Sequence, residues 1–145
     1  MALISTNKRA SWYDQYHHYP NASKFHNKLR HFFTTDIFFK TLKCYQEVPV
    51  SSLVESYPNN FDAVDWYIDQ YNTVIELHGK QHYEQVMFGY KPFEEAKKDF
   101  HNIQYRDNRK KTFLIDAGYN YVEISYKDAK KLTPEYIKQK IFESY

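Results

Sequence analysis

The chain has 145 residues, a formal net charge of +2 at pH 7, and a high aromatic content with 15 Tyr and 11 Phe, which fits a single domain with a sizeable core. Its one cysteine, Cys44, excludes an intramolecular disulfide and a cysteine-ligated zinc site. The small net charge is no argument for nucleic-acid binding, and no apolar run approaches the roughly 20 residues of a membrane span.

The N-terminal third of the chain predicts an arm, a helix and a strand. Residues 1–21 have no clear period and are expected to precede a single domain at residues 22–145. Helical spacing of Phe and Leu predicts a helix over Ala22–Leu42, with Ser23 as its N-cap and an interruption near Thr34. Alternation and β-branched content predict a strand over Lys43–Val50.

The rest of the chain predicts a hairpin followed by a helix, a strand and a final helix. The predicted elements are, in order, strands Asp62–Asp69 and Asn72–Gly79, helix Phe93–Ala117 closed by Gly118, strand Tyr119–Tyr126 and helix Pro134–Phe142, with loops at Ser56–Asn60 and His82–Lys91. The order α-β-β-β-α-β-α predicts an α/β fold, with a mixed sheet of about four strands, the hairpin at its centre and helices packed against it.

The hairpin at residues 63–85, "AVDWYIDQYNTVIELHGKQHYEQ", carries unusual charges for a structural element. A two-residue turn in its middle would place Asp65 directly opposite Glu76. Two facing carboxylates destabilise a sheet unless something neutralises them. A divalent cation between them is one interpretation. The other is that one carboxylate faces solvent, or that Lys80 or Arg106 neutralises it.

The long predicted helix places a carboxylate on its apolar stripe. Asp107 falls between apolar residues at helical spacing, namely Phe93, Ala96, Phe100, Ile103 and Leu114. Such a carboxylate is costly to bury unless it is paired or binds metal, and a local pair with Lys110 or Lys111 is the structural alternative. The basic run around it either reaches a phosphate backbone or is a solvated face.

Two segments together resemble a nuclease family. "VDWYIDQYNTVIELHGKQHYE" and the later "YRDNRKKTFLIDAGYNYVEISYKDA" resemble the very-short-patch-repair (Vsr) endonucleases and the Vsr-like domains of phage homing endonucleases. This is a branch of the PD-(D/E)XK superfamily described by an E-D-x-H-D pattern, and the resemblance covers roughly Lys43–Lys130. It implies a restriction-endonuclease-like core and a DNA endonuclease that depends on Mg²⁺ or Mn²⁺.

The resemblance also implies roles for individual residues. Asp65 matches the aspartate that binds metal, His82 the histidine that activates water, and Asp107 the aspartate that supports this histidine. His78 matches a histidine beside the active site that contacts phosphate. The metal would be held by Asp65 with Glu76 or with a backbone carbonyl such as that of Leu77, and "ELH" lacks the lysine of the usual motif. The expected DNA-positioning cations are Lys80, Arg106, Arg109, Lys110 and Lys111.

The sequence departs from the family at the first position of the pattern. His26 stands where the helix should carry a glutamate, so either His26, Glu47 or Glu55 fills that role or the activity is reduced. A non-catalytic DNA-binding or assembly module on the same fold is therefore the alternative function. A homodimer is left open, no membrane association is expected, and one cysteine fits a cytoplasmic location, in a host cell if the protein is phage-encoded.

Overall fold

The computed structural model describes residues 11–85 and 92–143, which form an α/β fold. The helices are α1 (Lys24–Thr35), α2 (Val50–Leu53), α3 (Phe93–Asp116) and α4 (Pro134–Glu143), and the strands are β1 (Cys44–Pro49), β2 (Ala63–Ile68), β3 (Thr73–His78) and β4 (Asn120–Ser125). The predicted order is confirmed, with the short α2 added after β1. Part of the predicted arm and part of the loop over His82–Lys91 lie outside the described residues.

The four strands form one mixed sheet in the order β1-β2-β3-β4. β1, β2 and β3 are antiparallel neighbours, whereas β4 runs parallel to β3 after the crossover through α3. The β2–β3 hairpin is therefore central, as predicted. Its pairs Trp66–Ile75 and Tyr67–Val74 have the expected register. The ladder stops short of Asp65, whose carboxylate instead accepts a hydrogen bond from the backbone N–H of Leu77 at 2.7 Å.

Helices cover both faces of the sheet. One core cluster joins α1 and α4 to the sheet through Leu29, Phe33, Ile137 and Ile141 packed on Trp66, Ile75 and Ile124. The other joins α2 and α3 through Val50, Leu53 and Leu114 packed on Val64, Tyr67 and Val74. Side chains alternate along a strand, so the face under α3 also receives the polar side chains between these apolar ones.

Helix α1 is shorter than predicted, and α3 buries a different set of residues than predicted. The helix predicted over Ala22–Leu42 begins behind the Ser23 cap but ends at Thr35, because the hydroxyls of Thr34 and Thr35 bond back to carbonyls of the last turn. In α3 the buried residues are Ala96, Asp107, Lys110 and Leu114, whereas Phe93 is 59% exposed. The buried stripe is thus more polar than the sequence predicts.

Helix α3 ends as predicted, at a glycine. Gly118 has φ = 93°, a conformation that favours glycine because it has no Cβ. Its N–H bonds to the carbonyl of Ile115 at 3.0 Å, and Tyr119 N–H reaches Leu114 O at 3.0 Å. This closure turns the chain directly into β4, which then pairs with β3.

Candidate active site

Polar side chains collect where β3 meets α3. The residues Tyr67 and Val74 pack toward α3, so alternation places Asp65, Glu76 and His78 on that same face of the sheet. Glu76 and His78 are both only 3% exposed. Charged groups this deep need partners, and each of them has one.

His82 and Asp107 form the closest pair of the site. His82 Nδ1 lies 2.6 Å from Asp107 Oδ2, and both side chains are largely buried. The predicted contact between these two residues is confirmed, whereas Lys110, one of the two helix-local partners considered as the structural alternative for Asp107, pairs with Glu76. An ionised carboxylate only accepts hydrogen bonds, so Nδ1 is the donor and Nε2 of a neutral His82 carries the lone pair.

A second imidazole lies directly on His82. The rings of His78 and His82 are 4.3 Å apart and nearly parallel, at 4°. His78 Nδ1 lies 3.3 Å from Glu123 Oε1, and Tyr83 donates its hydroxyl to Glu123 at 2.7 Å. The bond from His78, more than any other contact, lowers the pKa of Glu123 to about 2. Sequence reasoning did not single out Glu123, although its place between two apolar residues of a strand was the available signal.

Parallel stacking limits what this histidine pair can bind. One ligand atom each of His78, His82 and Asp107 lie within 4.8 Å of one another. However, stacked rings aim their in-plane lone pairs side by side rather than at one point, and Nδ1 of His82 is already bonded to Asp107. The geometry therefore suits proton transfer better than a shared metal ion.

A second group of potential ligands comes from three different elements. One ligand atom each of His26, Glu47 and Asp65 lie within 4.8 Å of one another. Glu47 has φ = 49° and lies between the β1–β2 pairs Gln46–Trp66 and Val48–Val64, opposite Asp65. Of the three candidates for the first position of the nuclease pattern, His26 and Glu47 both lie here. Glu55 is exposed and is outside this group.

The two carboxylates of this group, Glu47 and Asp65, repel each other. Desolvation within the cleft, followed by the charge of Asp65, raises the pKa of Glu47 to about 7, against a smaller opposing effect of Lys110. A cation placed between the two carboxylates would relieve this repulsion.

Glu76 pairs with a lysine from α3. Its carboxylate lies 2.9 Å from Lys110 Nζ, which also donates to the carbonyl of Ala63 at 3.1 Å. Burial and then the charge of Asp65 still keep the pKa of Glu76 well above its usual value. Glu76 thus has a protein cation beside it, where the sequence predicted a metal ligand and named Lys80 or Arg106 as the neutralising residue.

The predicted DNA-positioning cations have different surroundings. Lys110 is 6% exposed, and Arg109 bonds to Asp62 at 2.9 Å and lies over the Tyr57 ring. The other three are exposed: Lys80 pairs with Glu84, Lys111 lies over Tyr121, and Arg106 lines the cleft beside the carboxylates.

One cleft joins both groups of ligands and bases. A cavity of about 720 Å³ is lined by His26, Glu47, Asp65 and His82, with Tyr19 and Phe25 on its N-terminal side. A smaller cavity of about 290 Å³ continues past Glu47 and Asp65 to Glu76, Lys110 and Arg106. The site is therefore open to a ligand that reaches the carboxylates and the imidazole together.

No family model, curated protein or solved structure matches this chain. Within residues 11–85 and 92–143, no helix is long and apolar enough to cross a bilayer.

The buried ion pair allows a direct test of how the site is stabilised. Lys110→Met is expected to lower the free energy of unfolding by about 3–5 kcal/mol at neutral pH, because it leaves the Glu76 carboxylate buried without its cation. The loss should shrink toward pH 5. The folded-state pKa of Glu76 lies above its usual value of 4.5, so folding favours the protonated form. The contribution of Glu76 to stability therefore falls as the pH rises from 4.5 toward the folded-state pKa.

Urea unfolding at pH 5 and pH 8 would measure both effects. Lys111→Met is the matched control, since the neighbouring side chain is exposed and such surface changes are usually worth less than about 0.5 kcal/mol. Equal losses for the two variants would show that the Lys110–Glu76 pair does not hold the site together.

Proposed function

We propose that this chain is a divalent-metal-dependent DNA endonuclease with a PD-(D/E)XK core of the Vsr-like type. The observation that carries the proposal is the shared cleft, in which a carboxylate-oriented His82 faces the same space as Asp65, Glu47 and His26. Phosphodiester hydrolysis needs this combination, because a base must take a proton from water while charge builds up on the phosphoryl oxygens.

Each residue of the cleft has a separate role in hydrolysis. Nε2 of His82 accepts the proton of the attacking water, and Asp107 fixes the tautomer that leaves this nitrogen free. His78, held by Glu123, stacks on His82 and keeps its ring plane fixed. The carboxylates of Asp65 and Glu47 are oxygen ligands suited to a divalent ion. When bound, such an ion polarises the phosphate and lowers the pKa of water.

The surrounding charges favour a nucleic-acid backbone as the substrate. Arg106 is exposed and lines the cleft beside the carboxylates, where its guanidinium would hold a phosphate in a fork of hydrogen bonds. Lys80 and Lys111 are exposed on adjoining elements. Contacts of this kind position a strand without reading its sequence.

A plasmid assay tests the activity. Purified protein is expected to nick or cut supercoiled plasmid in the presence of Mn²⁺ or Mg²⁺ and to leave it intact in EDTA. Electrophoretic mobility shifts measured at 50 and 200 mM salt should show weaker binding at the higher salt, since phosphate contacts release counterions. Salt-sensitive binding with no cleavage under any metal would favour the non-catalytic DNA-binding module instead.

A further inference from the structure

His26 is held as a metal ligand would be. It is 5% exposed, stacks on Trp66 at 4.8 Å, and lines the cleft together with Glu47 and Asp65. Its Nε2 lies 2.7 Å from Oε1 of Gln46. Nδ1 has no hydrogen-bond partner within the described part of the chain. A buried imidazole that lines a cleft with two carboxylates, with one ligand atom of each residue within 4.8 Å of the others, is poised for a cation.

Gln46 decides which nitrogen of His26 carries the proton. Its amide group donates to the carbonyls of Asp14 at 2.7 Å and His17 at 2.8 Å. Both amide hydrogens are therefore used, and the amide oxygen must be the atom that faces His26. An oxygen acceptor requires a proton on Nε2, which leaves the lone pair on Nδ1. Metal-bound imidazoles are usually fixed in this way, by an acceptor at the other ring nitrogen.

The two carboxylates complete the set. Asp65 accepts the Leu77 N–H through Oδ2 at 2.7 Å and also lies beside the Glu76 carboxyl, which fixes its carboxylate where it lines the cleft. Glu47 occupies the left-handed region at φ = 49°, and an irregularity of this kind within a strand pair re-aims the side chain. One nitrogen and two carboxylate oxygens are then offered from α1, β1 and β2.

We propose that His26, Glu47 and Asp65 bind a first-row transition-metal ion such as Mn²⁺ in preference to Mg²⁺. Mg²⁺ favours an all-oxygen shell and gives up its water reluctantly, whereas imidazole nitrogen suits transition metals and carboxylate suits Mn²⁺. This ligand set differs from one built on Asp65, Glu76 and the Leu77 carbonyl, because Glu76 is paired with Lys110. The inference rests on the proposed function only in that the same ion would serve the nuclease.

Metal binding can be measured without nucleic acid. Titration of the full chain with Mn²⁺, followed by the electron paramagnetic resonance of the free ion, is expected to show one site. Mg²⁺ should displace the ion only at about tenfold or greater excess. Pulsed resonance on bound Mn²⁺ should show nitrogen hyperfine coupling from one imidazole.

Variants assign the ligands. His26→Gln should remove the nitrogen coupling and the preference for Mn²⁺ over Mg²⁺, and Glu47→Gln should weaken Mn²⁺ binding by about tenfold or more. His31→Gln is the matched control, since His31 is an exposed residue of the same helix, and it should change neither result. His82→Gln should keep the coupling, which separates His26 from the other imidazole of the cleft.

The outcomes separate the metal site from the nuclease. Coupling that persists in His26→Gln, or Mg²⁺ that binds as tightly as Mn²⁺, would overturn the inference even if the protein cuts DNA. Mn²⁺ bound with the His26 coupling but without any cleavage would leave the site standing and remove the nuclease proposal. If His26→Gln does not fold, two other results test the site: nitrogen coupling to Mn²⁺ in the wild type, and Mn²⁺ affinity in Glu47→Gln, which changes an exposed residue. Absence of the coupling, or unchanged affinity in Glu47→Gln, would overturn the inference.

Discussion

Asp65→Asn is expected to lower the rate of DNA cleavage by about 10³-fold or more. A metal at the reacting phosphate contributes several kcal/mol, and each 1.36 kcal/mol is about tenfold in rate. Asp65 belongs to the ligand group with His26 and Glu47, and its carboxylate also accepts a hydrogen bond from the backbone of the neighbouring strand, at Leu77. The asparagine side chain keeps an oxygen to accept that bond, so the fold should survive.

DNA affinity should be nearly unchanged in the same variant. Asp65 is a carboxylate and would repel rather than attract phosphate, so its loss removes no contact to the strand. Fluorescence anisotropy in EDTA would measure binding, and single-turnover cleavage with Mn²⁺ would measure the rate. Asp116→Asn, at an exposed carboxylate, is the control. Unchanged cleavage by Asp65→Asn would show that Asp65 does not hold a catalytic metal.

The strands were predictable because their signals are local. Alternation and β-branched residues around Trp66 and Ile75 set the hairpin and its register, and the left-handed Asn72 supports the turn. The pairing of His82 with Asp107 was also predictable. A carboxylate on an apolar stripe of α3 needs a buried partner, and the residues just beyond β3 lie under that helix.

The other half of the site was less accessible to sequence reasoning. The alternation along β1 predicts that Glu47 points to solvent from an edge strand. Nothing in "CYQEVPV" indicates that its φ is positive. Lys110 was expected either to pair with Asp107 on its own helix or to contact DNA phosphate, whereas its partner in the structure, Glu76, lies 34 positions earlier on β3. Contacts between distant segments depend on how the elements pack, which local periodicity does not specify.

His82 and Asp107 should act as one unit in catalysis. His82→Ala is expected to slow cleavage about 10²–10⁴-fold, the usual value of a positioned general base. Asp107→Asn should also be slow, because an amide nitrogen facing Nδ1 favours the tautomer whose proton is on the wrong nitrogen. Since Asp107 works through His82 at a hydrogen bond of 2.6 Å, the double variant should be little slower than His82→Ala alone.

Single-turnover rates of the four proteins at saturating Mn²⁺ would measure this coupling. A pH profile alone would not, because burial and Asp65 raise the pKa of Glu47 to about 7, in the range where imidazoles ordinarily titrate. A loss of rate in acid could then come from either residue. The double-mutant cycle removes this ambiguity, since it compares all four proteins at a single pH.

The cycle also distinguishes the base from a metal ligand. If Asp107 bound the ion directly, the two substitutions would act independently. The rate factors of His82→Ala and Asp107→Asn would then multiply in the double variant. The stacked geometry of His78 and His82 argues against a shared ion at this end of the cleft. Full activity of His82→Ala would remove the imidazole from the chemistry and would leave Lys110, which lies beside the carboxylates, as the group positioned to act on the water.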